Sequence, residues 1–397
     1  MKQGNFLTKE DKKIIAVVLG IGSYNDLGVI RSCGEVGIGS IYLTPIGIDL
    51  VFPIQKSKYI ITYQKIKFTE KAIVAEIIHI SQSYDAIISV FPTADITACI
   101  LDRNFDKFPS SVTISHAEGK MAELMDKSTM SEQAKQAGLR IPLTIVVSTK
   151  DNQEIETINY PVIVKPLRSI DGSKSDITIC QSIGELQSTR HSYAEKGYKE
   201  MLVQQYLCAP DKKEIGITGI SYCDGTVEIH GYIDKIRNLM SINNFGIYHP
   251  DDNSFDYEAL VQYIKQTGYK GIFDTDFILN HGVLYFIECN FRNGAYGYCT
   301  TASGFNMPAR WTIGKQSALI TPLRDIVFMD ERTDFLNVKW GHISFLRWIK
   351  DFLRSDILLF WNRKDPKPYF RIPAMAKLLV EKAGRCLIKI LPSPLAR

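Results

Sequence analysis

The sequence has no apolar run approaching the ~20 residues that a bilayer-spanning helix requires, no Cys-x-x-Cys pair, no low-complexity stretch and no internal repeat. The first absence argues against an integral membrane protein. The eight cysteines (Cys33, Cys99, Cys180, Cys208, Cys223, Cys289, Cys299 and Cys386) are scattered, with no compact His/Cys cluster. That excludes a zinc or disulfide framework as the organising device and fits a reducing cytoplasm. Met1 to Lys13 is polar and charged, lacking the apolar core of a secretory signal, so none is expected. A strong charge of one sign is also missing. The formal net charge is +4, but Arg363 to Arg397 holds nine Lys/Arg against two Asp/Glu, a net +7, which leaves −3 for the residues before it. A body that is not basic lacks the docking face of a nucleic-acid-binding protein, and no nucleic acid is expected as a partner.

What is present is a chain of 397 residues, 45% hydrophobic and 23% charged, long enough to bury more than one core. Lys12 to Leu19 (KKIIAVVL) reads as a strand, Gly20-Ile21-Gly22-Ser23 as a tight turn, and Leu27, Ile30 and Cys33 as the apolar face of a helix. Ile38 to Leu43 and Tyr84 to Phe91 read as further buried strands, with an amphipathic Glu70 to Ser81 between them. Strands alternating with helices predict a parallel sheet covered on both faces, placed at residues 12 to 115. Beyond it, Met121 to Gly138 is expected as a helix. Strands are expected at Tyr160 to Lys165, Met201 to Tyr206, Glu214 to Tyr222 and Val227 to Ile233, and a hairpin from Ile272 to Leu279 and Val283 to Glu288.

Lys165 ends an apolar strand, YPVIVKP, which fixes an ammonium where an anion could meet it, and Arg168 to Ser175 (RSIDGSKS) follows as a polar turn able to cover phosphates. Asp276, Glu288 and Asn290 lie on the two arms of the hairpin. Residues two apart share a face of a strand, so three oxygen-bearing side chains converge as a Mg2+ bridging phosphates requires. Asp95, after the strand ending at Phe91, is a helix N-terminal acid or a substrate contact at a strand's carboxyl end.

The order Asp126-Lys127, YPVIVKP, VQQYL, Glu214, Lys235 and Arg237, then Asp276, Glu288, Asn290 and Arg292 resembles the ATP-grasp superfamily over residues 12 to 315. EIHGYIDKIRN, FIECNFRNGAYG and Asp365-Pro366-Lys367-Pro368 are most similar to its carboxylate-amine ligases, which include D-aspartate ligase. The resemblance implies an α/β chain: a Rossmann-like lobe at 1–115, a linker helix and lid subdomain at 116–210, a catalytic subdomain at 211–330 and a basic helical tail at 331–397. It implies ATP held by Lys127, Lys165, Ser169, Gly172 and Ser173, adenine against Gln204, Gln205, Tyr206 and Leu207, and ribose at Glu214. Lys235 and Arg237 would steady the γ-phosphate, Asp276, Glu288 and Asn290 would hold Mg2+ or Mn2+, and Arg292 would bind the substrate carboxylate or an oxyanion. The chain departs from the family in carrying amides at Gln204 and Gln205, one glycine in the loop, and aspartate at 276.

The implied reaction joins a small-molecule carboxylate, an amino acid or sugar acid, to an amine through an acyl phosphate, in envelope or polysaccharide biosynthesis. Phosphoryl transfer to a hydroxyl and ATP sensing without chemistry stay open as alternatives, and a homodimer is an open expectation. Pro373 to Pro392 alternates apolar and basic residues, which allows peripheral contact with an anionic inner leaflet.

Overall fold

The computed structural model describes residues 8–9, 12–48, 50–150, 158–167, 176–239, 242–250, 254–314 and 323–370. Three sheets follow one another along the chain. The first is parallel, with strands in the order Ile60–Ile66, Gly39–Pro45, Lys12–Leu19, Ala86–Pro92 and Val112–Ile114. Its central strand is apolar at every position from Ile14 to Leu19, and all six side chains are buried. The alternation explains why: Ile15, Val17 and Leu19 pack with the Glu70–Ser83 helix, while Ile14, Ala16 and Val18 pack with the Tyr24–Glu35 helix. Strand order reverses between Lys12–Leu19 and Ala86–Pro92, so a crevice opens at their carboxyl ends.

The turn at Gly20 to Ser23 is filled by the helix's own acid. Asp26 accepts from the Gly22 and Ser23 N–H groups at 2.7 and 3.0 Å, and a Cβ on Gly20 would lie 2.3 Å from its carboxylate. A side chain therefore occupies the place where a dinucleotide fingerprint would hold a phosphate, and the glycines serve the turn.

The second sheet is antiparallel, ordered Thr144–Ser148, Glu200–Gln205, Val162–Pro166, Thr178–Cys180, with the Ile183–Glu195 helix on its core. The third runs Val283–Asn290, Gly271–Asn280, Lys213–Ser221, Tyr232–Leu239, Ile242–His249, Ile326–Met329, Ile357–Leu358. Its hairpin turns at His281 and Gly282, both with positive φ (52° and 69°), as a two-residue hairpin turn demands.

Several expectations are corrected. The helix expected over Met121 to Gly138 breaks into Met121–Leu124 and Lys127–Gln136, because Asp126 caps the second piece by accepting from the Ser128 and Thr129 N–H groups. The strand expected over Val227 to Ile233 is two, Val227–Ile229 and Tyr232–Leu239, interrupted at Gly231, whose φ of 102° lies outside the range of a regular strand. Residues 331–370, expected in a separate tail, instead add the Phe335–Lys339 and Phe345–Arg354 helices and a final strand to the third sheet. Pro373 to Pro392 lies outside the described residues. Among the described residues no helix is long and apolar enough to cross a membrane, and the seven described cysteines are free.

Asp365, conspicuous in the sequence, fastens the far end of the described chain to the first lobe. Arg31, fully buried, donates to Asp365 Oδ2 at 3.3 Å and to the Phe360 and Leu359 carbonyls at 2.8 and 3.1 Å. Asp365 also accepts from Ser57 Oγ at 2.8 Å and from the Lys58 N–H at 3.0 Å. Removing one partner of a buried pair strands the other charge, so Asp365→Ala is expected to lower stability by ~3–5 kcal/mol. Urea unfolding monitored by far-UV dichroism checks this; a midpoint equal to that of the native chain would show that the contact is dispensable.

Candidate active site

The hairpin register decides which acids meet. Asp276 pairs directly with Glu288 across Gly271–Asn280 and Val283–Asn290, and Asp274 pairs with Asn290. All four share one face of the sheet. The expected Asp276, Glu288 and Asn290 are therefore brought together. Glu288 is half-buried and its carboxylate makes no hydrogen bond or ion pair among the described residues, whereas the Asn290 amide oxygen accepts from Arg292 at 3.2 Å. Among the described residues no group of three or more His, Cys, Asp or Glu side chains is arranged to hold a metal. The expected set is two carboxylates and an amide, hard oxygen donors of the type Mg2+ takes when phosphates and water complete its shell.

Lys235 joins this face from two strands away. It projects from Tyr232–Leu239, crosses Lys213–Ser221 at Gly216, and forms an ion pair with Asp276. Gly216 is the residue opposite Asp276, and a Cβ there would lie 3.2 Å from Lys235 Cε, so the missing side chain leaves the lysine its path. Burial works against the ammonium, but Asp276 and Asp274 beside it hold its pKa well above the ordinary lysine range. Arg237 does not join the group. A bulge between Lys235 and Arg237 turns it away, and its guanidinium is bound by Asp334 at 2.7 and 2.6 Å and by Asp351 at 2.8 Å. An arginine so committed positions the strand rather than reaching for a phosphate.

The second sheet supplies the opposite wall. Lys165 donates to the Gln204 side-chain oxygen at 2.9 Å, across the Val162–Pro166 and Glu200–Gln205 pair. Burial and then the charge of Lys127 lower its pKa to about 8, with Glu288 and Asp276 opposing. Lys127, Glu288 and Asp276 thus all lie within electrostatic reach of Lys165. Gln204 is buried; Gln205 is exposed, and its N–H is taken by the Leu143 carbonyl at 2.8 Å. The Tyr206 N–H goes to the Pro161 carbonyl at 3.1 Å, while the Leu207 N–H meets no acceptor among the described residues. Glu214, opposite Lys235 on the adjoining strand, accepts from Asn238 at 2.6 Å through one oxygen. Ser169, Gly172 and Ser173 lie outside the described residues.

Arg292 leaves the end of the hairpin and meets the first lobe. Its Nε donates to Asp95 at 2.6 Å, with further bonds to Asn290 and to the Asn293 carbonyl at 3.4 Å. Of a guanidinium's five N–H donors these use three, leaving one on each terminal nitrogen, which suits a carboxylate bridging both. Asp95 sits at the crevice of the parallel sheet, so a substrate held there would lie against Arg292.

One group was not anticipated. Asp274 is fully enclosed, and its Oδ1 has no hydrogen-bond partner. Burial, reinforced by Asp276, raises its pKa, against the pull of Lys235 and Arg292. Its sequence signal was the period of two in Phe273-Asp274-Thr275-Asp276, which places both acids on one face.

No family profile matches the chain. A D-alanine–D-alanine ligase from Fusobacterium nucleatum is 24% identical over 171 residues, which is 43% of this chain and 57% of that relative, so the match spans little more than half of the curated protein. Among solved structures, N5-carboxyaminoimidazole synthetase from Staphylococcus aureus has a TM-score of 0.63 at 18% identity, covering 86% of this chain and 89% of its own. The same synthetase has been solved in complex with ADP. An L-amino acid ligase from Bacillus licheniformis has a TM-score of 0.58 at 14% identity, covering 80% and 79% of the two chains. Identities this low establish architecture, and with the three sheets and their convergent charges on the page, the chain has the ATP-grasp fold.

Proposed function

We propose that this chain is an ATP- and Mg2+-dependent ligase that joins a carboxylate to an amine through an acyl phosphate. The observation that carries the reading is the convergence of Lys235–Asp276, Glu288 and Arg292 opposite Lys165 and Lys127. In this reading the chain divides at 115 and 210, with residues 331–370 completing the third part and nucleotide between the second and third, and works in the cytoplasm as a homodimer. An amino acid is the favoured carboxylate, in keeping with the amino acid ligases among its likenesses.

Lys165 and Lys127 would take the phosphates from one side and Lys235 from the other, as point charges held by buried strands. The open Leu207 N–H and the adjoining carbonyls would meet the adenine edge, and the free oxygen of Glu214 a ribose hydroxyl. Asp276, Glu288 and Asn290 would hold Mg2+, which neutralises charge on the phosphate oxygens. Arg292 would grip the substrate carboxylate beside Asp95, so that one of its oxygens faces the γ-phosphorus in line with the leaving ADP. Attack by the amine at the acyl carbon would then release inorganic phosphate, and no protein nucleophile is required. A screen of amino acids and sugar acids against amines tests the reading: it expects phosphate release that depends on both. Phosphate retained on a hydroxyl product would identify a phosphotransferase, and ATP binding with no turnover of any pair would identify a sensor.

Lys165→Ala is expected to weaken ATP binding by roughly 1.5–3 kcal/mol without lowering the stability of the unliganded protein. The sign follows from its depressed pKa: charged Lys165 opposes folding, fully below about pH 8 and less as pH rises from there toward the ordinary lysine value, so its removal relieves that opposition. For the same reason ATP affinity of the native chain should fall as pH rises through about 8, where the ammonium is lost. Calorimetry across pH checks both; equal affinities of the native and variant chains would remove Lys165 from the site. Glu288→Gln should shift the Mg2+ dependence of turnover upward by about tenfold or more, because a neutral amide is a poorer ligand. Superimposable magnesium titrations would place the ion elsewhere. Arg292→Lys keeps the charge but loses the fork; turnover should drop by about a hundredfold or more while ATP affinity stays near native. Near-native turnover would leave Arg292 only its tie to Asp95.

A further inference from the structure

The Phe345–Arg354 helix, FLRWIKDFLR, is folded onto the protein the wrong way round for a core helix. At 100° per residue, Trp348, Phe352, Phe345, Ile349, Leu353 and Leu346 form one continuous apolar arc, and Lys350, Arg354, Arg347 and Asp351 form the other side. On the polar side Asp351 turns inward, while Arg347, Lys350 and Arg354 stay exposed. Asp351 is fully buried and bound by Arg237 at 2.8 Å, with Arg347 at 3.2 Å and Arg354 at 3.4 Å. The apolar arc is open along one edge, where Leu346 and Leu353 are 79% and 77% exposed and Phe345 52%, while Trp348, Ile349 and Phe352 are half-buried. The exposed Phe335 and Trp340 of the preceding helical segment extend it. The aromatic rings hold one another rather than a core, with Trp348 packed against Phe335, Phe345 and Phe352 at centroid distances of 5.2, 6.4 and 5.1 Å.

The charge around this face has one sign. Between Phe335 and Arg354 the sole acid is Asp351, and it is spent internally on three arginines, as is the buried Asp334 on Arg237. Lys339, Arg347, Lys350 and Arg354 remain at the surface, and the nearby exposed Asp356 is paired with Arg324 at 2.8 Å. A second copy of the chain is a poor cover, because a two-fold contact would bring four cations of each copy together. Leucine and aromatic side chains rimmed by Lys and Arg, with no free acid between Phe335 and Arg354, match the acyl boundary and headgroups of an anionic bilayer.

We propose that the Phe345–Arg354 helix, with Trp340 and Phe335, docks this protein on an anionic lipid surface, its leucines and aromatics entering the headgroup boundary and its cations meeting the lipid charges. The helix is distinct in sequence from the basic segment after residue 370. It also has a path to the catalytic strand, because Asp351 on the docking helix holds Arg237, two residues from Lys235.

The test is co-sedimentation of the full chain with vesicles of phosphatidylcholine alone and of a two-to-one mixture of phosphatidylcholine and phosphatidylglycerol, at low and high salt. Native protein is expected to partition onto the mixed vesicles and to be released by salt. The double variant Leu346→Ser, Leu353→Ser should lose roughly tenfold or more of that partitioning, and Lys350→Glu roughly fivefold or more. All three residues are exposed, so matching thermal unfolding curves certify that the variants fold. Native-like partitioning of both variants would overturn the proposal and assign any binding to another part of the chain. Absence of binding by the native protein, or dimerisation in light scattering that the leucine variant abolishes without any lipid binding, would overturn it as well.

Discussion

The ion pair between Lys235 and Asp276 spans three strands, and much of the site depends on its being able to do so. It requires Gly216 on the strand between, since a side chain there would stand in the lysine's path. It requires the hairpin register that sets Asp276 opposite Glu288, because a slip of one residue would turn the acids to the other face. The neighbouring Asp274 is fully enclosed, with one carboxylate oxygen unpartnered, and burial reinforced by Asp276 raises its pKa. Two acids two residues apart thus sit in different surroundings, Asp276 paired with Lys235 and Asp274 enclosed beside it.

The same economy of charge organises the contacts between parts of the chain. Arg31 with Asp365, Arg292 with Asp95, and Arg237 with Asp334 and Asp351 each link elements far apart in sequence through an arginine. Arg292 differs from the other two in lying at the mouth of the parallel-sheet crevice with unspent donors, which is why it is read as a substrate contact. Arg237 is enclosed by two carboxylates, which is why it is not.

The sequence was informative where patterns are local. The apolar Lys12–Leu19 strand, the parallel first sheet and the hairpin with its acids follow from periodicity and turn chemistry, and Asp276, Glu288 and Asn290 came together as expected. It was silent where the decisive partner is distant. Nothing near Arg237 announces Asp334 and Asp351, and nothing near Arg292 announces Asp95. The Ile242–His249 strand reads INNFGIYH, too polar for a period-two reading, yet it lies inside the sheet because both neighbouring strands cover its backbone. The Phe345–Arg354 helix shows its amphipathic pattern plainly, but only the buried Asp351 shows that the apolar side is the outer one.

The central claim is that a carboxylate is activated by accepting the γ-phosphoryl group. The most direct measurement uses an acid substrate labelled with heavy oxygen in its carboxylate, incubated with ATP, Mg2+ and the amine, followed by mass analysis of the inorganic phosphate released. The account predicts that one labelled oxygen per turnover moves from the acid to the phosphate, because the bond broken by the amine lies between the acyl carbon and that oxygen. Product formed with unlabelled phosphate would contradict an acyl phosphate, and with it the part that Lys235 and Arg292 play in forming one.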